Sequence, residues 1–148
     1  MLYTTSIAKV KTFGFQNDQR IDKAWVIVRS MKTPIQLSVD TIWVPALSPS
    51  HELFIDYLVW KNAGNWNEET FQTQYRPRFL REMAQNPNSR ETLNRLFKAS
   101  RTKNILALCY CANQSLCHRS LIKALIEEAQ SGSGPHYQEW LSYRSTAI

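Results

Sequence analysis

The sequence predicts an α/β protein: a three-layer, Rossmann-like domain with a small, mainly parallel sheet and helices on both faces. Three observations carry this. Ile105-Leu106-Ala107-Leu108-Cys109 is an apolar run of strand length, followed by a polar loop and an amphipathic segment, which is a strand–loop–helix signature. Ala24-Trp25-Val26-Ile27-Val28 is continuously apolar, as expected of a strand covered on both faces. Between these runs, residues 48–99 carry apolar side chains at helical spacing, so helices separate the strands.

Taken in order, Leu2 to Val10 reads as the first strand, rich in β-branched and aromatic residues, and lies centrally as residues 2–9. Lys11 to Asp22, with Gly14, Asn17 and Asp18, reads as a loop. The second strand covers residues 24–29 and ends in Arg29 and Ser30, so polar and basic groups emerge at its carboxyl end. Val39 to Val44 is a short third strand closed by Pro45.

Ser48-Pro49-Ser50-His51-Glu52 is a helix start, with Ser48 as cap and Pro49 at the first helical position. That helix runs to Asn62–Asn65. The next starts at Asn67 and passes through Phe71, Tyr75 and Met83, with a kink or a split near Tyr75-Arg76 expected from Pro77. Arg90 to Ala99 is a third helix. Strand residues 104–111 follow, then a helix burying Leu121, Ile122, Leu125 and Ile126. Ser131-Gly132-Ser133-Gly134-Pro135 breaks the chain, so residues 1–131 form one domain and residues 132–148 a short C-terminal extension, either a docking helical turn or a loose tail.

A chain of 148 residues buries a substantial core, and 43% apolar content with mixed charge excludes a disordered protein. No stretch approaches the ~18 apolar residues that span a bilayer. The first residues lack a signal peptide's basic start and apolar centre, which points to the cytoplasm, where thiols stay reduced. The net charge of +6 suits an anionic partner, a nucleotide or nucleic acid.

The chemistry concentrates after the last strand, where all three cysteines, Cys109, Cys111 and Cys117, are joined by His118 and Arg119. An odd number of clustered cysteines is no disulfide framework. Strand alternation puts Cys109 and Cys111 on one face, with Cα atoms roughly 6.5 Å apart, and parallel Cβ vectors strain a disulfide. With Cys117 and His118 they form a Cys3His set for zinc, although structural zinc loops usually pair ligands two to four residues apart.

Ser115 or Asn113 can cap the following helix. A thiol or an anion at that helix start meets unpaired N–H groups, the positive end of the dipole and Arg119. On helix phase His118 falls at the centre of the buried face, with Cys117 and Arg119 about 90–110° to either side. His118 therefore points under the loop toward the sheet, as a fastener of loop backbone or as an acid–base group.

The pattern resembles the family called domain of unknown function 488 (DUF488): an apolar strand ending in Cys109, seven residues, then Cys117-His118-Arg119 and an apolar helix. Ala46 to Leu53 resembles its Leu-Ala-Pro-Ser-type helix start, and Trp66 to Leu80 its aromatic helix. Leu2 to Ser6 and Val28-Arg29-Ser30 resemble its two leading strands. The likeness covers about residues 1–130 and implies a site location. Cys111 occupies a position where the family often has another residue type.

Parallel strands would bring Ser6, Arg29, Ser30, Cys109 and the Cys117-His118-Arg119 turn to one rim, where ligands of open α/β sheets bind. Ser48, Ser50, Tyr75 and Arg76 can approach from the helical side. The leading expectation is an enzyme acting on a nucleotide or nucleic acid. Cys117 and His118 are its catalytic pair, and Arg119, Arg29, Ser30, Ser6 and Cys109 bind the anion. The alternatives are a non-catalytic basic module that binds nucleic acid or a protein partner, and a zinc-binding Cys3His domain.

Overall fold

The computed structural model describes residues 1–13, 20–31, 34–35, 37–111 and 113–145, with the backbone alone at 11–13. Four strands, β1 (Leu2–Ser6), β2 (Lys23–Val26), β3 (Asp40–Trp43) and β4 (Ile105–Cys109), form one parallel sheet in the order β1-β4-β2-β3. β4 is buried at all five residues and lies between β1 and β2, which explains a sequence with no polar alternation. Register aligns Ser6 with Cys109 and Val26 with Leu108, so the carboxyl ends of β1, β4 and β2 are nearly level, although β1 is an edge strand and not a central one as expected. The fold is the three-layer α/β arrangement expected.

The first strand is shorter than its composition suggested. Ile7–Phe13 is a helix, α1, because Ser6 turns the chain by accepting a hydrogen bond from Lys9 N on Oγ, at 3.1 Å. Residues 14–19, including Gly14, Asn17 and Asp18, lie outside the described residues.

After β3 a 3-10 turn, Pro45–Leu47, leads to α2 (His51–Asn62). The cap of α2 is Ser50, not Ser48: Ser50 Oγ accepts from Leu53 N, while Ser48 Oγ donates to Pro45 O at 2.6 Å. Both Ser50 N and Oγ also donate to the Glu82 carboxylate, which ties this helix start to the next helical layer.

The helical stretch from Glu68 is divided as Pro77 requires. A first turn, α3 (Glu68–Thr70), widens into a π-helical segment, Phe71–Tyr75, and α4 (Arg76–Gln85) follows. Pro77 has no N–H to give to the preceding turn, and a widened turn absorbs the missing bond. α5 (Pro87–Thr102) begins three residues before the Arg90 expected, because Asn86 Oδ1 caps it through Asn88 N and Ser89 N.

α6 (His118–Ser131) follows β4 and ends at Gly132, whose φ of 88° is the left-handed cap that glycine adopts freely. The C-terminal segment is a docked helix, α7 (Pro135–Ser145). Glu139 pairs with Arg76 at 3.1 Å, and the Arg81 guanidinium lies 4.8 Å from the Tyr143 ring centre. Among the described residues, no helix is long and apolar enough to cross a membrane.

Candidate functional site

The site lies at the carboxyl rim, where β4 passes through residues 110–116 into α6. Asn113 caps a 3-10 turn, Gln114–Leu116, with Oδ1 accepting from Ser115 N at 3.1 Å. That turn folds the chain back and delivers Cys117 to the N-cap of α6. Cys117 makes no side-chain cap bond, so its sulfur is released inward. The helix start is closed instead by Ser120, whose N and Oγ both donate to Cys117 O.

Cys117 Sγ lies 3.1 Å from Cys109 Sγ and 3.6 Å from His118 Nδ1. The other ring nitrogen, Nε2, donates to Ile27 O at 2.7 Å, across to the end of β2. In the neutral ring this bond assigns the proton to Nε2 and leaves Nδ1 as a lone pair facing the thiols. The ligand atoms of Cys109, Cys111, Cys117 and His118 all lie within 4.8 Å of one another. The spacing along the chain counted against such a set. It closes because the 3-10 turn, not the strand, supplies the approach.

The remaining expected residues separate into two groups. Arg29 and Ser30 line a cavity of about 170 Å³ together with Cys111, Cys117 and His118. Arg29 is half-buried, with Nη1 donating to Pro49 O at 3.3 Å and Nη2 lying 3.5 Å from His51 Nδ1. Arg119, expected on the rim, is 2% exposed and lies beneath it, with Nη1 3.8 Å from Cys109 Sγ. Ser6 and Cys109 are buried at the strand ends, and neither lines the cavity. Of the helical-side residues, Ser48 and Tyr75 reach the cavity, whereas Ser50 caps α2 and Arg76 pairs with Glu139.

What the sequence reading missed is the cavity's aromatic wall: Phe54 and Tyr57 from α2, Trp66 from the loop after it, and Tyr110 after β4. Trp66 packs edge-on against Tyr57 at 4.8 Å and against Tyr75 at 5.3 Å. The i, i+3 spacing of Phe54 and Tyr57 on a short helix was the available signal. A larger groove of about 720 Å³ between α5, α6 and α7 includes none of the thiols.

The three thiols titrate as a set. Hydrogen bonds from Cys109 and then Cys117 stabilise a thiolate on Cys111 and hold its pKa well below the usual thiol value, against the opposing effect of burial. Its hydrogen bond with Cys111 leads in pushing Cys109 up to about 11, with Arg119 pulling the other way. Burial, followed by the bonds to its two neighbours, raises Cys117. The cluster thus carries one negative charge readily and resists a second.

A family model described as the active DUF488-N3 subclade matches residues 10–130. No curated protein and no solved structure matches the chain.

Proposed function

The chain belongs to the DUF488 family, and from that premise we propose that it is an enzyme acting on a nucleotide or nucleic acid at the Cys117-His118 turn. The observation that carries this is the Cys117 Sγ to His118 Nδ1 approach of 3.6 Å at the wall of a cavity that also holds Arg29. The bond to Ile27 O keeps Nδ1 as an acceptor, and because burial holds Cys117 as a thiol at rest, His118 takes its proton as general base only while the sulfur attacks. Arg29 anchors a substrate phosphate at the rim, with Ser30 beside it. Arg119 acts from below, as a fixed cation that offsets negative charge on the thiols. The subclade's description as active favours an enzyme over a non-catalytic module. Three free thiols at close range support work in a reducing compartment such as the cytoplasm.

The test is product formation, followed by mass spectrometry, from a panel of nucleotides and single-stranded oligonucleotides. Turnover should fall about a hundredfold or more in Cys117→Ser, the scale of a lost nucleophile or general base. No product from any member of the panel, or full activity in Cys117→Ser, rejects the reading.

One observation favours a second reading, a zinc centre. The four ligand atoms of Cys109, Cys111, Cys117 and His118 are already gathered. A metal-binding imidazole commonly gives its other N–H to a backbone carbonyl, as His118 does to Ile27. Three thiolates on Zn²⁺ leave one excess negative charge, and Arg119 lies beside Cys109 to offset it. One zinc per chain, lost together with folding on chelation, selects this reading. A metal-free protein whose melting is unchanged by chelator retains the first.

A further inference from the structure

The catalytic turn accounts for one side of the cavity and leaves its aromatic wall without a task. We propose that this cavity is a slot for a single nucleobase, stacked against Tyr110 and the Tyr57–Trp66 wall, with the attached phosphate outside at Arg29. The inference rests on the nucleotide reading above and names the part of the substrate that enters.

Size comes first. Pockets that enclose a whole drug-sized ligand measure roughly 300–1,000 Å³. At about 170 Å³ this cavity takes one flat ring system and excludes the sugar and phosphate. The arginine then sits where the excluded phosphate must lie, since Arg29 lines the cavity from the end of β2 and is only half-buried.

Shape and stiffness come next. Trp66 is held edge-on by Tyr57, Tyr75 and Phe71 and stacks on Trp60 at 6.0 Å, so the wall is braced from several sides. The widened π turn carries both Phe71 and Tyr75 into this cluster. A braced aromatic face offers stacking with little ordering cost. Tyr110, 53% exposed, lines the slot from the loop after β4 and leaves its ring open to a stacked base.

The lining mixes apolar and polar groups, as a base requires: Val28 and Leu116 stand beside Cys111, Cys117 and His118. Burial, aided by the nearby thiols, raises the pKa of Tyr57 and of Tyr75, so both phenols keep their protons as donors for ring nitrogens or carbonyls. Stacking tolerates every base, and these donors with Ser30 would set any preference among them.

Calorimetric titration of the full chain with AMP, GMP, CMP, UMP and ribose 5-phosphate tests this. At least one nucleotide should bind about tenfold or more tighter than ribose 5-phosphate, the share that one stacked base supplies. Tyr110→Ala, an exposed position that spares the core, should shrink that ratio severalfold. Arg29→Ala should weaken nucleotide and ribose 5-phosphate by the same factor and leave the ratio intact. Equal affinity for nucleotides and ribose 5-phosphate, an unchanged ratio in Tyr110→Ala, or no nucleotide binding overturns the slot. Base-dependent binding without turnover rejects only the enzyme, and turnover without base-dependent binding rejects only the slot.

Discussion

Two strand-to-helix turns stand side by side at the same rim and use their first helical cap in opposite ways. At the β1–α1 turn Ser6 spends its hydroxyl on Lys9 N, and the side chain is buried and committed. One strand over, in register with it, β4 leads to Cys117, an N-cap residue whose side chain does not cap. Its sulfur turns inward to Cys109 and His118, and the duty of closing the helix start passes to Ser120. The first turn is a structural joint. The second gives up capping energy, about 1 kcal/mol for a good cap residue, and sets its thiol against Cys109 and His118 instead.

The largest break in this comparison should come from beneath the second turn. Arg119 fills buried volume at 2% exposure and puts a cation beside Cys109, so Arg119→Ala leaves a cavity and removes that charge at once. A loss of about 3 kcal/mol or more is expected in urea unfolding. A loss below about 1 kcal/mol would mean that the guanidinium is no part of the support for this turn.

The next effect concerns proton uptake by the metal-free protein. Cys111, with its lowered pKa, should be the first thiol labelled by iodoacetamide near neutral pH, and Cys109 should resist until about pH 11. The linkage follows from these directions. In the unfolded chain all three thiols ionise near ~8.5. Cys111 therefore adds stability that is complete above ~8.5 and is withdrawn as pH falls toward its folded value. Cys109 and Cys117, both raised, subtract stability as pH rises above ~8.5, in the case of Cys109 up to about 11. Urea titrations of wild type against Cys109→Ala should show a steeper decline for wild type between pH 8.5 and 10. Equal slopes would show that the folded chain does not raise the Cys109 thiol.

Much of the second turn was legible because its rules are local. Strand alternation put Cys109 and Cys111 on one face, and helix phase aimed His118 at the sheet, where it meets Ile27 O. Residues that depend on distant partners were not legible in the same way. Ile7 to Val10 suits a strand or a helix equally by composition, and the helix comes with the Ser6 bond to Lys9 N and the burial of Ile7 and Val10 in the core. Ser48 and Ser50 are alike by local propensity, and the tie to Glu82, thirty-two residues away, accompanies the choice of Ser50 as cap. The aromatic wall draws Tyr57, Trp66 and Tyr110 from three separate segments, a convergence no window of sequence contains.

The smallest expected effect sharpens the comparison most, because it separates stability from chemistry. Ser6→Ala removes the bond to Lys9 N and should cost about 0.5–2 kcal/mol in urea unfolding, the range of a lost N-cap. Ser6 is paired in register with Cys109 but lines no part of the cavity, so order and pH of thiol labelling should stay as in wild type. A shift in Cys111 labelling on Ser6→Ala would couple the two turns and make the hydroxyl part of the site. Unchanged labelling with reduced stability would keep the first turn a joint, and confine the reactive groups to the turn whose cap residue does not cap.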